Sequence, residues 1–200
     1  MGQERRYLPQ TSAEVRAITD DNGVNHIPGK GIVFNQWSRK LGWFKEKIVP
    51  SALALANMEE LKCFFNHDPN YTLASLKNKT VELSITESSC DYDILAPDNQ
   101  TIRDMVLAPI IRGDVTGSSF MFDIAEDGEE WEMGPDGVYL RTIYKIETVY
   151  EMGPVSMPAY LQTSTSLVSR SLDEVIAMTR KIESRYKRQR ALMDIIMLQK

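Results

Sequence analysis

The sequence predicts an α+β fold, and three observations carry that reading. Two stretches, "TVELSITES" and "SSFMFDIAE", alternate apolar and polar residues with the two-residue period of a strand buried on one face. Between them "NQTIRDMVLAPIIRGD" spaces Ile102, Met105, Val106 and Ile110 at helical intervals. The composition, 42% hydrophobic and 26% charged over 200 residues, is enough for one sizeable core and argues against a disordered or fibrous protein.

In chain order, residues 1–28 are polar and dense in Asn, Asp, Gly and Pro around "TDDNGVNHIPGK", so a flexible leader is expected, with little stable structure before Gly31. Short apolar runs begin at "GIVFNQWS", and "EKIVPSALALANMEELK" predicts a helix over 51–62, opened by Ser51. Residues 63–65, "CFF", are bounded by turn formers and read as a short buried strand, which leaves His67 at a strand end. Val81, Leu83 and Ile85 share one face of the next strand. The helical stretch after them has Asn99 or Thr101 as cap, Pro109 as a place to bend or restart, and Gly113 as its stop. In the strand that follows, Phe120, Phe122 and Ile124 face one way and Ser119, Met121 and Asp123 the other. Residues 138–150 alternate as one long strand, with Arg141, Glu147 and Glu151 on the face opposite Leu140, Ile146 and Tyr150. A capping box of Ser171 and Glu174 then opens an amphipathic helix with a basic face over 170–200.

A formal net charge of −5 argues against a nucleic-acid-binding surface over the whole molecule. No apolar run is long enough for a membrane span, and no basic-then-apolar order opens the chain, so a soluble cytoplasmic protein is expected. Cys63 and Cys90 form no disulfide framework, which suits a reducing compartment. His67, Asp68, Cys63 and Cys90 have no metal-ligand spacing, and no phosphate-binding or dinucleotide glycine pattern occurs; no metal and no cofactor is expected.

Nucleophilic hydrolysis needs a hydroxyl or thiol, a base of near-neutral pKa, and a group that holds the base in the right tautomer. With His26 in the polar leader, His67 is the candidate base; alternatively it is a strand-end histidine bonded to Asp68 or a turn amide. "GDVTGSSFMF" offers two serines, Ser118 and Ser119, at the start of a strand, where backbone amides can receive an oxyanion. A Ser/Gly turn is the plainer reading, and Cys63 is a rival nucleophile in an apolar run that suggests an inert thiol.

Several stretches in order, "GKGIVFNQWS", "GWFKEKIVPSAL", "FFNHDPN", "RDMVLAPIIRGDVTGSSFMF" and "YEMGPVSMPAYLQTS", resemble the prohead maturation proteases of tailed bacteriophages, distant relatives of the herpesvirus assemblins. The resemblance runs from about Gly29 to Ser169 and implies a serine protease domain over 29–169, a small assemblin-like β-barrel core with flanking helices. It implies His67 as base and Ser119 as nucleophile, with Ser118 in its place only if the register shifts. The third member is an acid, Glu151 by motif position or Glu147 one pair of residues earlier. Two departures stand out: "TLASLKNKTVEL" replaces the usual "LGR…GTL", and Gly153 stands where a serine is common.

The implied function is cleavage of a scaffold protein, or of the scaffolding segment of the major capsid protein, together with self-cleavage, inside a procapsid in the host bacterial cytoplasm. Self-association is expected, and the C-terminal helix fits a targeting element. A catalytically silent scaffold or adaptor with the same fold, an unrelated β-rich binding module and a cysteine hydrolase using Cys63 are the competing readings.

Overall fold

The computed structural model describes residues 3–8 and 13–156, in which strands dominate. The first sheet runs in the order Glu4–Leu8 (β1), Gly117–Ile124 (β9), Ile146–Val155 (β12), Lys62–Phe65 (β5) and Asp68–Ser75 (β6). A second holds Ile18–Thr19 (β2), Asn25–Val33 (β3), Ser89–Leu95 (β8) and Val81–Ile85 (β7). The third holds Glu129–Met133 (β10), Tyr139–Ile143 (β11) and Phe44–Ile48 (β4). Neighbours pair antiparallel except β12 with β5 and β11 with β4. None of the three sheets closes on itself, so the described residues form a mainly β, mixed architecture and not the small closed barrel expected.

The core lies between the first two sheets, where the two-residue period puts every second side chain inside. Phe120 and Phe122 stack with centroids 5.1 Å apart, and each is almost fully buried, a contribution of about 1.5–3 kcal/mol per side chain. Glycines let the sheets close: a Cβ on Gly31 would stand 2.5 Å from Met152 Sδ. One on Gly29 would stand 2.6 Å from the hydroxyl of Tyr92, which lies 3.2 Å from Ser118 Oγ.

The helical stretch forms as Gln100–Ile102, a π turn over Arg103–Leu107, and Ala108–Arg112. Asn99 caps it by accepting from the Ile102 amide at 2.9 Å, and Gly113 ends it at a φ of 86°. The wide turn, with the Ala108 amide donating to Arg103, answers Pro109, which lacks an N–H and whose ring crowds the preceding turn. It also shifts the phase of the apolar face. Ile102, Val106, Leu107 and Ile110 are buried, whereas Met105, expected among them, is 52% exposed.

Three further expectations are corrected. The helix over 51–62 shrinks to a 3₁₀ turn, Pro50–Leu53, because Asn57 is drawn into β12: its amide donates to Glu147 O and its carbonyl accepts from Val149 N. The single strand over 138–150 is two, β11 and β12, in different sheets. Tyr144 and Lys145 both donate to Gly128 O and turn the chain between them. Residues 1–28 are not one leader, since β1, β2 and the start of β3 lie within them, and His26 is a strand residue beside Asp93. The amphipathic helix expected over 170–200 and the "PAY" motif lie outside the described residues.

β1 is tied down by charge. Arg6 binds Glu46 and Glu4, while Arg141 makes a two-pronged contact with Glu4, 2.7 Å on each side, and reaches Glu129 at 2.6 Å and Glu46 at 3.3 Å. Two guanidinium groups thus serve three carboxylates with little exposure to water. Burial alone would raise the Glu4 carboxyl, but the Arg141 hydrogen bond and the charges of Arg6 and Arg141 outweigh it and hold its pKa down.

Candidate active site

His67 is carried on a turn that favours glycine. Asn66 and His67 are the two residues between paired Phe65 and Asp68, and their φ angles of 54° and 60° are those of a type I′ hairpin turn. A side chain in the left-handed region costs roughly 1–2 kcal/mol at His67. The turn is held against the end of β12: the Asn66 amide donates to Pro154 O, and Asn66 Oδ1 accepts from the Ser156 amide and hydroxyl.

The imidazole folds back over the first sheet. His67 Nδ1 lies 2.8 Å from Glu151 Oε1, and Glu151 is 2% exposed. A carboxylate only accepts, so Nδ1 carries the proton and Nε2 presents its lone pair. That Nε2 is buried without a hydrogen-bond partner. Asp68 is occupied elsewhere, accepting from the Asn70 amide and side chain, so it does not orient His67.

Strand register sorts the serines. Opposed residues of paired strands share a face; Ser119 lies opposite Tyr7 on β1 and Gly153 on β12, and Met121 lies opposite Glu151. Ser119 is therefore on the face of Glu151, where the Tyr7 ring also meets the His67 ring edge-on at 5.4 Å. Ser118 is on the other face, in the core against Tyr92. The Ser119 hydroxyl does not donate to His67: it donates to the carbonyl of Arg6 at 2.9 Å, and Ser119 is fully buried.

Bulges separate the two acids. β12 slips register between Ile146 and Thr148 and again between Val149 and Glu151, which turns Glu151 to the His67 face. Glu147 falls in the first slip and is exposed to water. Cys63 lies beneath, and burial first, then the Glu151 carboxylate, push its thiol pKa far up, so it stays protonated and a poor nucleophile. Among the described residues no group of three or more His, Cys, Asp or Glu could hold a metal ion, and no helix is long and apolar enough to cross a membrane.

An imidazole held by a buried carboxylate, on a sheet face that also carries a serine, has the residue types that acyl transfer uses. A protein-family model described as caudovirus prohead serine protease matches residues 11–177. The chain belongs to this family. Comparisons with curated proteins and with solved structures gave no match. The matched region of this prohead protease family member takes in β5, β9 and β12, whereas β1 precedes it. Tyr7 and Arg6 had no local signal in the sequence, because only long-range pairing brings them to Ser119.

Gly153, where the resemblance leads one to expect a serine, has a steric reason. A Cβ there would stand 2.3 Å from the backbone carbonyl of Phe64, which has no room to yield. Gly153→Ser is expected to destabilise the protein by about 1–3 kcal/mol in urea unfolding, by forcing β5 off β12. An unchanged midpoint would show that β5 moves freely.

Proposed function

We propose that the protein is a serine endopeptidase of prohead maturation, with Ser119 as nucleophile, His67 as general base and Glu151 as the acid that orients it. The observation that carries this reading is the Glu151–His67 hydrogen bond, which leaves an unpartnered Nε2 on the face that bears Ser119. In the reaction His67 Nε2 takes the Ser119 proton as Oγ bonds to the carbonyl carbon of a peptide. The C–N bond then breaks, the leaving amine receives that proton, and water hydrolyses the acyl-enzyme.

The substrates in this reading are a scaffold protein, or the scaffolding segment of the major capsid protein, and the protease itself. The place is the procapsid interior in the host cytoplasm, where confinement raises the effective concentration and offsets weak binding. Self-association and a targeting role for 170–200 belong to the same proposal.

The test is co-expression of the wild-type chain and of Ser119→Ala with the capsid and scaffold proteins of the same phage, with intact masses measured for every chain. Wild type is expected to trim itself or a partner, and Ser119→Ala to leave all chains whole. Trimming by both variants would remove Ser119 from the mechanism.

A second reading, a catalytically silent assembly adaptor, is favoured by one feature: Ser119 is fully buried and its hydroxyl is held by Arg6. Whole chains in both co-expressions, beside normal capsid assembly, would select it.

A further inference from the structure

We propose that the edge of β9 is the docking strand for the peptide substrate, that β1 now occupies that place, and that Glu46 and Glu129 select a basic side chain at the substrate residue whose carbonyl meets Ser119. The proposal deepens the serine-protease reading and rests on it.

β1 stands toward Ser119 as a peptide about to be cut would. It is extended, antiparallel to β9, with Tyr7 opposite Ser119 and the Arg6 carbonyl 2.9 Å from Ser119 Oγ. While it is there, Ser119 has no exposure, and His67 Nε2 lacks the hydroxyl it needs. A second strand therefore reaches Ser119 only by replacing β1, which then frees the β9 amides that face it to bond the newcomer or its oxyanion. β1 also lies before the residues matched to the family, so this edge is not filled by a strand within the matched region.

The side chain of Arg6 defines the specificity. It leaves the sheet on the face opposite Ser119 and binds both oxygens of Glu46, with Nη2 2.8 Å from Oε2. When β1 departs it removes Glu4 and Arg6 together. Glu46 and Glu129 then face Arg141 alone, two negative charges against one positive, in a site that a strand seated where β1 now lies buries, with Glu46 and Arg141 4% and 6% exposed while β1 is there. A buried excess of negative charge is costly, and an incoming lysine or arginine relieves it, whereas a neutral or acidic residue does not. Cleavage follows the basic residue: Ser119 Oγ bonds to its carbonyl carbon, the C–N bond on its C-terminal side opens, and the proton passes through His67 to the departing amine.

Two biotinylated peptidyl diphenyl phosphonates, identical except for an arginine-like or leucine-like side chain beside phosphorus, test the selection on the full chain. The labelled residue is read by mass spectrometry. The arginine probe is expected to label Ser119 at least about tenfold faster, and Glu46→Gln to shrink that ratio several-fold. Equal rates overturn the proposal. Because Glu46→Gln also loosens the ion cluster, a second variant reads the strand itself. Arg5 and Met121, whose side chains meet across the pair at 3.4 Å, are both exchanged for cysteine to clamp β1 on β9. Oxidation is expected to stop labelling by both probes and reduction to restore it; labelling with the clamp closed overturns the proposal. A small fluorophosphonate that labels Ser119 with no arginine preference among the peptidyl probes sinks this inference alone. Failure of all three reagents to label Ser119 sinks it together with the protease reading.

Discussion

Glu151→Gln is expected to lower peptide-bond cleavage by roughly four orders of magnitude with little loss of fold, the size of effect found when the acid of a Ser-His-Asp triad becomes an amide. The reason is the tautomer. Glu151 only accepts, which keeps the His67 proton on Nδ1 and the Nε2 lone pair free. An amide can turn its NH₂ to Nδ1, and the imidazole then carries its proton on Nε2, where it cannot take one from serine. At about 1.4 kcal/mol per tenfold, the loss corresponds to roughly 5–6 kcal/mol of transition-state stabilisation. The check is the cleavage rate with the urea midpoint measured on the same sample. A fall of less than tenfold would remove Glu151 from the orienting role.

Arg141→Met is expected to cost about 3–5 kcal/mol in urea unfolding, because it strips Glu4, Glu46 and Glu129 of their shared partner and leaves Arg6 to face them. The pH dependence gives a second signature. In the wild type the Glu4 pKa is held below its ordinary value, so its contribution is present above that value and lost as pH falls through the depressed one. Wild-type stability should therefore drop as the solution is acidified below about pH 4. In Arg141→Met the Glu4 carboxyl loses the hydrogen bond and charge of Arg141 that hold its pKa down, so the acid limb should flatten. Parallel acid limbs in the two proteins would show that the cluster does not govern acid stability.

Local pattern made part of this legible in the sequence. The alternation of Phe120, Phe122 and Ile124 against Ser119 and Met121 is a property of the backbone pleat, and it survives as β9. Asn99 and Gly113 mark the ends of the helical stretch because capping needs only neighbouring residues. What failed depended on distant partners. The helix over 51–62 has good formers, yet the pull of β12 on Asn57 outweighs their propensity, and Leu55 is left 95% exposed. The split at Tyr144 follows from Gly128, and β1 follows from β9.

The candidate site divides the same way. His67 and the paired serines were visible as chemistry-bearing residue types. Glu151 was set above Glu147 by motif position alone, since regular alternation puts both on one face; the two bulges that part them have no signature in the residues themselves. The turn at His67 was hidden because a type I′ turn calls for glycine where histidine stands.

The placement of β1 has a further consequence for the order of events during synthesis. Arg6 and Ser119 are 113 positions apart, and Glu4 and Arg141 are 137 apart. A chain emerging from the ribosome has made β1 long before β9 and Arg141 exist, and closing so long a loop is slow. β1 is therefore translated before β9 and seated only after it. Until it arrives, the nascent protein carries an open sheet edge beside Ser119, available to whatever extended chain is near.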